Sequence, residues 1–283
     1  MMRIKIYADY VNPDEAKQLF ERVHRAADFP DYGPDKKLYF IGSNEKETHA
    51  IVINWAKPDL SGMSKWNVIG LAHEPVEFLR LDLEYVQRNV GIYYVGRTEN
   101  LASPFVLGQS YLPHSAPTGP QPEKTKIMSL MISQKTFAPG HKYRHQLATA
   151  ILQTDLKIDI YGRGCVMHPS DPRLKEEFKD SETMLKDYRF HICIENFESD
   201  YYFSEKVIDP VCYNVTPIYM GCLNIDEFFP DMIIKLTGDL NSDMELIRNI
   251  CEDPDKYVKP CTFKIPDQNV NLIKDILDGK LFP

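Results

Sequence analysis

The chain of 283 residues has no Cys-x-x-Cys pair, no stretch near eighteen uninterrupted apolar residues, no internal repeat and no low-complexity tract. Each absence excludes a class. Cys165, Cys193, Cys212, Cys222, Cys251 and Cys261 all lie in the second half, without the spacing of a zinc site, and are expected to be reduced thiols packed as small hydrophobes. Without a long apolar run there is no candidate membrane span. The start, MMRIKIYADYVNPDEAK, meets charge too early for a signal peptide, so the reading is a soluble, cytoplasmic protein. In that setting the sequon Asn214-Val215-Thr216 is a chance match. Excess positive charge is missing as well: 33 Lys and Arg against 41 Asp and Glu leave a formal charge of −8. That balance speaks against a general nucleic-acid binder, which needs clustered cations, but is compatible with one local basic pocket. With 43% hydrophobic and 11% aromatic residues the chain has material for two modest cores.

The patterning reads as α/β. Residues 3–8 alternate like a strand, and a helix follows with Asn12 as N-cap, Pro13 at its first position and Glu15 closing a capping box. Ala16, Leu19, Phe20 and Val23 fall on one face of it. Further strands are expected at 38–41, 50–54, 67–72 and 91–95. Residues 112–124 then carry Pro113, Pro117, Pro120 and Pro122, which excludes a helix or a central strand and marks a domain boundary. Beyond it the alternation restarts: strand 126–132, helix 141–153, strand 157–161, helix 171–185, strand 189–195, a helix from 204 and strand 215–219. The expected domains are 1–118 and 119–265, with a final helical segment, 266–283, that can cross back to the first. Two such halves predict a cleft that binds ligand beyond the carboxyl ends of the strands.

The chemistry concentrates in 188–221, YRFHICIENFESDYYFSEKVIDPVCYNVTPIYMG. The strand delivers Glu195 and Asn196 to its end, a polar loop follows, and Ser204 caps a helix whose first turn holds Glu205 and Lys206. Free N–H groups and the positive dipole end at that turn favour phosphate, and Lys206 adds a full charge. A Ser-Glu-Lys helix start is common, and by itself it reads as plain capping. Pro210 is expected to kink the helix.

In order, Tyr188, Phe190, Glu195, Asn196, Tyr202, Ser204, Glu205, Lys206, Pro217, Ile218, Tyr219 and Gly221 match the donor-site signature of the α1,3/4-fucosyltransferases, and the segment resembles that family, glycosyltransferase family 10. Arg144 in HKYRHQLATAIL, followed by KIDIYGRGC, resembles an upstream block of the family. The resemblance covers about 125–260 well and the N-terminal half in patches, among them LAHEP at 71–75. The chain departs from the family at Pro210 and Cys212 and in its short N-terminal half.

The resemblance implies a GT-B arrangement of two facing Rossmann-like domains with a cleft between them. It implies transfer of L-fucose from GDP-fucose, with inversion, to a hydroxyl of a glycan or oligosaccharide acceptor, expected as an α1,3 bond to N-acetylglucosamine or glucose. Arg144 and Lys206 would neutralise the diphosphate, Glu205 would accept from ribose hydroxyls, and Asn196 and Tyr202 would shape the pocket. Tyr202 also reads as a packed loop aromatic, and Asn196 as a strand-end turn residue. The general base would be Glu74 after the strand NVIGLA, with Glu77 and His73 as rivals. No cofactor and no obligatory metal are expected. Two alternatives stay open: another GDP-sugar as donor, or a catalytically inactive glycan-binding protein of the same fold.

Overall fold

A computed structural model describes residues 1–76, 78–175 and 180–282. The chain forms two compact units, Met1–Leu112 with Ile265–Pro283, and Pro113–Lys264. The break falls after Leu112, where 118 was expected. The reason is local: the backbone N–H groups of His114 and Ser115 donate to Asp209 Oδ1 (2.8 and 3.1 Å), which ties the start of the proline-rich segment to the second unit.

In the first unit, β1 (Met2–Tyr7) leads into α1 (Pro13–Val23), capped as expected by Asn12, whose side chain accepts from Asp14 and Glu15 N–H while Glu15 closes the capping box. β2 (Leu38–Ile41), β3 (His49–Ile53), β4 (Val68–Leu71), α2 (Leu83–Asn89), β5 (Ile92–Val95) and β6 (Phe105–Leu107) follow. The strands form one sheet in the order β2-β1-β3-β4-β5-β6. Every pairing is parallel. Alternation along each strand feeds two cores. Ile51 and Ile53 pack with Ile4, Ile6 and α1, whereas Ala50 and Val52 pack on the other face with Val68, Val86 and Tyr93.

The second unit repeats the plan. β7 (Lys126–Met131), α3 (Pro139–Leu152), β8 (Ile158–Tyr161), β9 (Leu174–Lys175), β10 (Tyr188–Ser199), α4 (Glu205–Cys212), β11 (Thr216–Cys222), β12 (Ile234–Lys235) and α5 (Leu240–Glu252) follow in order. Its sheet runs β12-β11-β10-β7-β8-β9, again parallel throughout.

Two expectations need correction. Residues 171–185 are not one helix: Leu174–Lys175 pairs with β8, Ser181–Met184 is a single 3-10 turn capped by Asp180, and 176–179 lie outside the described residues. Arg173 is the cause. Its guanidinium, clamped by Asp171, donates to the carbonyls of Ile151 and Leu152 at the end of α3 and of Thr154 and Leu156 just beyond it, which spends this stretch on capping a helix instead of extending one. The strand expected at 189–195 runs on to Ser199, into the polar loop read from its composition. Strands β6 and β12 were too short to be seen as patterns. Among the described residues no helix is long and apolar enough to cross a membrane.

The last helix, α6 (Leu272–Leu277), belongs to the first unit. Leu272, Ile273 and Ile276 are buried in the same core as β1 and α1, and Val270 N–H donates to the Gln109 carbonyl at 2.8 Å. Ile273→Ala should therefore lower the stability of the first unit by about 2–4 kcal/mol although it lies near the end of the chain. Urea unfolding of the variant followed by a probe in that unit measures this, and a shift under about 0.5 kcal/mol would contradict the packing.

Candidate active site

The second unit gathers five of the predicted residues around the end of β10. Glu195, the last inward carboxylate of the strand, is 1% exposed. It accepts from Ser204 N–H at 2.9 Å and from Ser204 Oγ at 2.9 and 2.8 Å, and it pairs with Lys206 Nζ at 3.3 Å. Ser204 in turn caps α4 by accepting from Lys206 N–H, and Lys206 Nζ also reaches Glu205 at 3.2 Å. One buried acid thus sets where α4 begins and where its lysine points.

Two glycines make this possible. A Cβ on Gly221 would stand 2.4 Å from Glu195 Cγ, and a Cβ on Gly140 would stand 1.7 Å from the Glu195 carbonyl oxygen. The first explains the glycine that ends VTPIYMG. The second brings the opening turn of α3 against β10, so that Arg144, one turn on, donates from Nη2 to Asn196 Oδ1 at 2.7 Å. Arg144 is buried and also donates from Nε to the Gly140 carbonyl.

Burial and nearby cations shift two side chains of this cluster. Burial, then the charges of Arg144, Lys135 and Lys206, push the His141 imidazole down to about 4. That ring is neutral, and its Nδ1 accepts from the Ala138 N–H. Glu205 shows the reverse balance: burial alone would raise its carboxyl, but the adjacent Lys206 and then His114 hold it down to about 2, so it stays an ionised acceptor. Two cations, the N–H groups opening α4 and an anionic acceptor beside them can bind a diphosphate and grip a hydroxylated group attached to it. Tyr202 is 3% exposed, a packed aromatic supporting the loop before α4. Pro210 sits inside α4, and the helix stops at Cys212.

Asp209 was not read from the sequence. It is 2% exposed, burial raises its carboxyl to about 7, the nearby Glu205 adds to the rise, and the N–H groups of Ser115 and His114 with the Ser181 hydroxyl offset only part. The role of Glu195 as an anchor was also missed. A strand-end glutamate matched to a glycine 26 positions on has no periodic signature, so only a contact reveals it.

Glu74 lies in the first unit, half-buried just beyond β4. Its surroundings are organised by Asn54, a buried residue in the left-handed region with φ of 54°. Asn54 donates to Asp9 at 2.9 Å, accepts from His73 N–H at 2.8 Å, and its carbonyl accepts from the Tyr93 hydroxyl. Asp9, His73 and Glu74 therefore share the carboxyl-end rim of β1, β3 and β4. His73 stacks on Phe20 at 5.6 Å and bonds Tyr10 through Nδ1. That is a packed position. Glu77, the other rival, lies outside the described residues. On the same rim a hollow of about 400 Å³ is lined by Tyr7, Asp9, Trp55 and Lys57. Among the described residues no group of three or more His, Cys, Asp or Glu side chains is arranged to hold a metal ion.

Comparison with known proteins places this geometry. Residues 121–259 match the model for glycosyltransferase family 10 (fucosyltransferase), C-terminal part. A putative fucosyltransferase-like protein of Arabidopsis thaliana is 24% identical over 246 residues, covering 81% of this chain and 46% of the relative. The chain thus spans about half the length of that curated relative. Crystal structures of an α1,3-fucosyltransferase superpose with TM-scores of 0.61 for one and 0.53 for another holding GDP-fucose, at 13% and 15% identity, each covering 98% of this chain and 87% and 88% of the other. The fold is the GT-B fold of those structures, and the donor-type cluster around Glu195 lies inside the matched segment. The matched segment, 121–259, is thus similar to the C-terminal part of the fucosyltransferases of glycosyltransferase family 10.

Proposed function

We propose that the protein transfers L-fucose from GDP-fucose to a hydroxyl of a glycan acceptor, with inversion, and that the product carries an α1,3 bond to N-acetylglucosamine or glucose. The observation that carries this reading is the diphosphate-type site of Arg144, Lys206 and the opening turn of α4, with the ionised Glu205 beside it. In a single displacement the acceptor oxygen bonds to the anomeric carbon as the bond from that carbon to the phosphate oxygen breaks. Negative charge then accumulates on the departing GDP. Fixed cations and N–H dipoles placed there in advance lower the barrier without reorganising. Arg144 suits the task because its fork is already oriented by Asn196 and Gly140. These groups supply the charge that a bound metal would bring, so no obligatory metal is proposed.

The acceptor hydroxyl must lose its proton in the same step. In this reading Glu74, contributed by the first unit, takes it. Support comes from its place at a carboxyl-end rim, where α/β sheets present functional groups, and from the packed position of His73, which leaves that ring poorly placed as a base.

Lys206→Ala should weaken GDP binding on the order of 10- to 100-fold, the worth of a hydrogen bond to a charged group. Calorimetry with GDP reads it, and unchanged affinity would remove Lys206 from the donor site. Glu74→Gln should leave GDP affinity within about twofold and cut transfer by at least ~100-fold, since only the proton acceptor is lost. Transfer that survives in this variant would move the base elsewhere. Turnover assayed across nucleotide sugars should favour GDP-fucose and persist in EDTA, and turnover confined to UDP-sugars would overturn the whole reading.

A further inference from the structure

Behind Glu205 and Lys206, within the second unit, lies a cavity of about 210 Å³. Its walls include Met131, Met184, Leu185 and Pro210, and its polar lining includes His114, Ser181, His191 and Asp209. Glu205 and Lys206 line it too, so it opens off the proposed diphosphate site. It is smaller than the pockets that hold whole drug-sized ligands, and it suits one flat fragment of a larger molecule.

The feature that demands an explanation is Asp209. Its Oδ1 accepts from two backbone N–H groups, while among the described residues its buried Oδ2 has no partner in hydrogen-bond geometry, the Ser181 hydroxyl beside the carboxylate only easing its burial. An orphaned buried carboxylate oxygen is costly and rare. The other polar wall, His191, is held as a neutral ring: burial pushes its imidazole down to about 3, and Nδ1 contacts the Ser129 hydroxyl at 2.8 Å. The cavity thus presents apolar faces, a neutral ring and one acceptor oxygen awaiting a donor.

We infer that this cavity takes the guanine base of the donor nucleotide, and that Asp209 is its specificity-determining residue, with Oδ2 accepting from the 2-amino group. The inference rests on the GDP-sugar reading above and names the part of the ligand that the diphosphate site leaves unassigned. The fit is chemical. Guanine offers amino and ring N–H donors side by side, whereas uracil and cytosine offer a carbonyl in the corresponding place. Aliphatic and thioether side chains can cover its two faces, and Glu205, at the mouth, stands where the ribose hydroxyls would lie between base and diphosphate.

Because His114 and Ser115 N–H groups fix the Oδ1 side as acceptor, Asp209→Asn should place its amide NH2 where Oδ2 was. That donor opposes the 2-amino group of guanine and matches the 2-carbonyl of xanthine. Calorimetry of the wild type and of Asp209→Asn with GDP, IDP and XDP tests the assignment. The wild type should bind IDP, which lacks the amino group, about 10-fold more weakly than GDP. Asp209→Asn should lose at least ~10-fold in GDP affinity and prefer XDP to GDP. A variant that binds GDP with the wild-type GDP-to-XDP ratio, or a wild type indifferent to the 2-amino group, overturns the role of Asp209 while leaving the diphosphate site standing. A wild type that binds none of the three overturns the donor reading itself, and this inference with it.

Discussion

The buried carboxylate of Glu195 is the constraint on which the second unit's site depends. A charge at 1% exposure is tolerable only when hydrogen-bonded and paired, and here both conditions are met by residues that follow it in the chain. Ser204 donates twice over, from backbone and hydroxyl, and Lys206 supplies the countercharge. The consequence is directional. The helix α4 cannot start one residue earlier or later without breaking the pairing, so the N–H groups of its first turn and the Lys206 ammonium are held in register with the end of β10. Removing either partner would leave an uncompensated charge, which costs more than the pair contributes. The site is therefore rigid for a reason that precedes its chemistry.

The same interaction explains why the segment is legible in sequence. The Glu-Asn pair of β10, the Ser-Glu-Lys helix start and the glycine two residues beyond Pro-Ile-Tyr are three pieces of one contact. Gly221 leaves room for the Glu195 side chain, and the Tyr219 hydroxyl accepts from the Cys222 N–H beside it. Residue types are narrowly limited at each place, and a pattern so constrained survives as a signature. Capping was readable for the same reason: the Asn12-Pro13-Glu15 start of α1 is a local code that requires no partner from afar.

What was illegible depended on distant partners. The stretch 171–185 has helical composition, yet Arg173 is committed to the carbonyls of Ile151 and Leu152 at the end of α3, some twenty residues earlier, and tertiary contact overrides propensity there. Strand β6 has three residues and β12 has two, too few for alternation to show. Asp209 reads as an ordinary polar position on a short helix until the proline-rich segment is laid against it. No periodicity in 112–124 could announce that its backbone would donate to residue 209, and so the end of the first unit was set too late in the chain. Glu195 was visible as a residue and invisible as a cause.

Asp209 and Glu195 also make a contrast that bears on how one unit holds opposite charges so close together. Glu195 is buried and satisfied, with Lys206 at 3.3 Å. Asp209 is buried and half satisfied, with burial and Glu205 raising its carboxyl to about 7. Between them stands Glu205, kept anionic by the same Lys206 that serves Glu195. Among the described residues one ammonium thus pairs with two acids, and the third forms no ion pair. A ligand that brings two negative phosphates would draw Lys206 toward itself and loosen its hold on Glu195 and Glu205. Glu195 would then keep its Ser204 contacts, and in the proposed complex ribose hydroxyls would meet the acceptor oxygens of Glu205. On the proposed reading Glu195 then relies on its Ser204 contacts alone, while Glu205 exchanges an ammonium for hydroxyl donors.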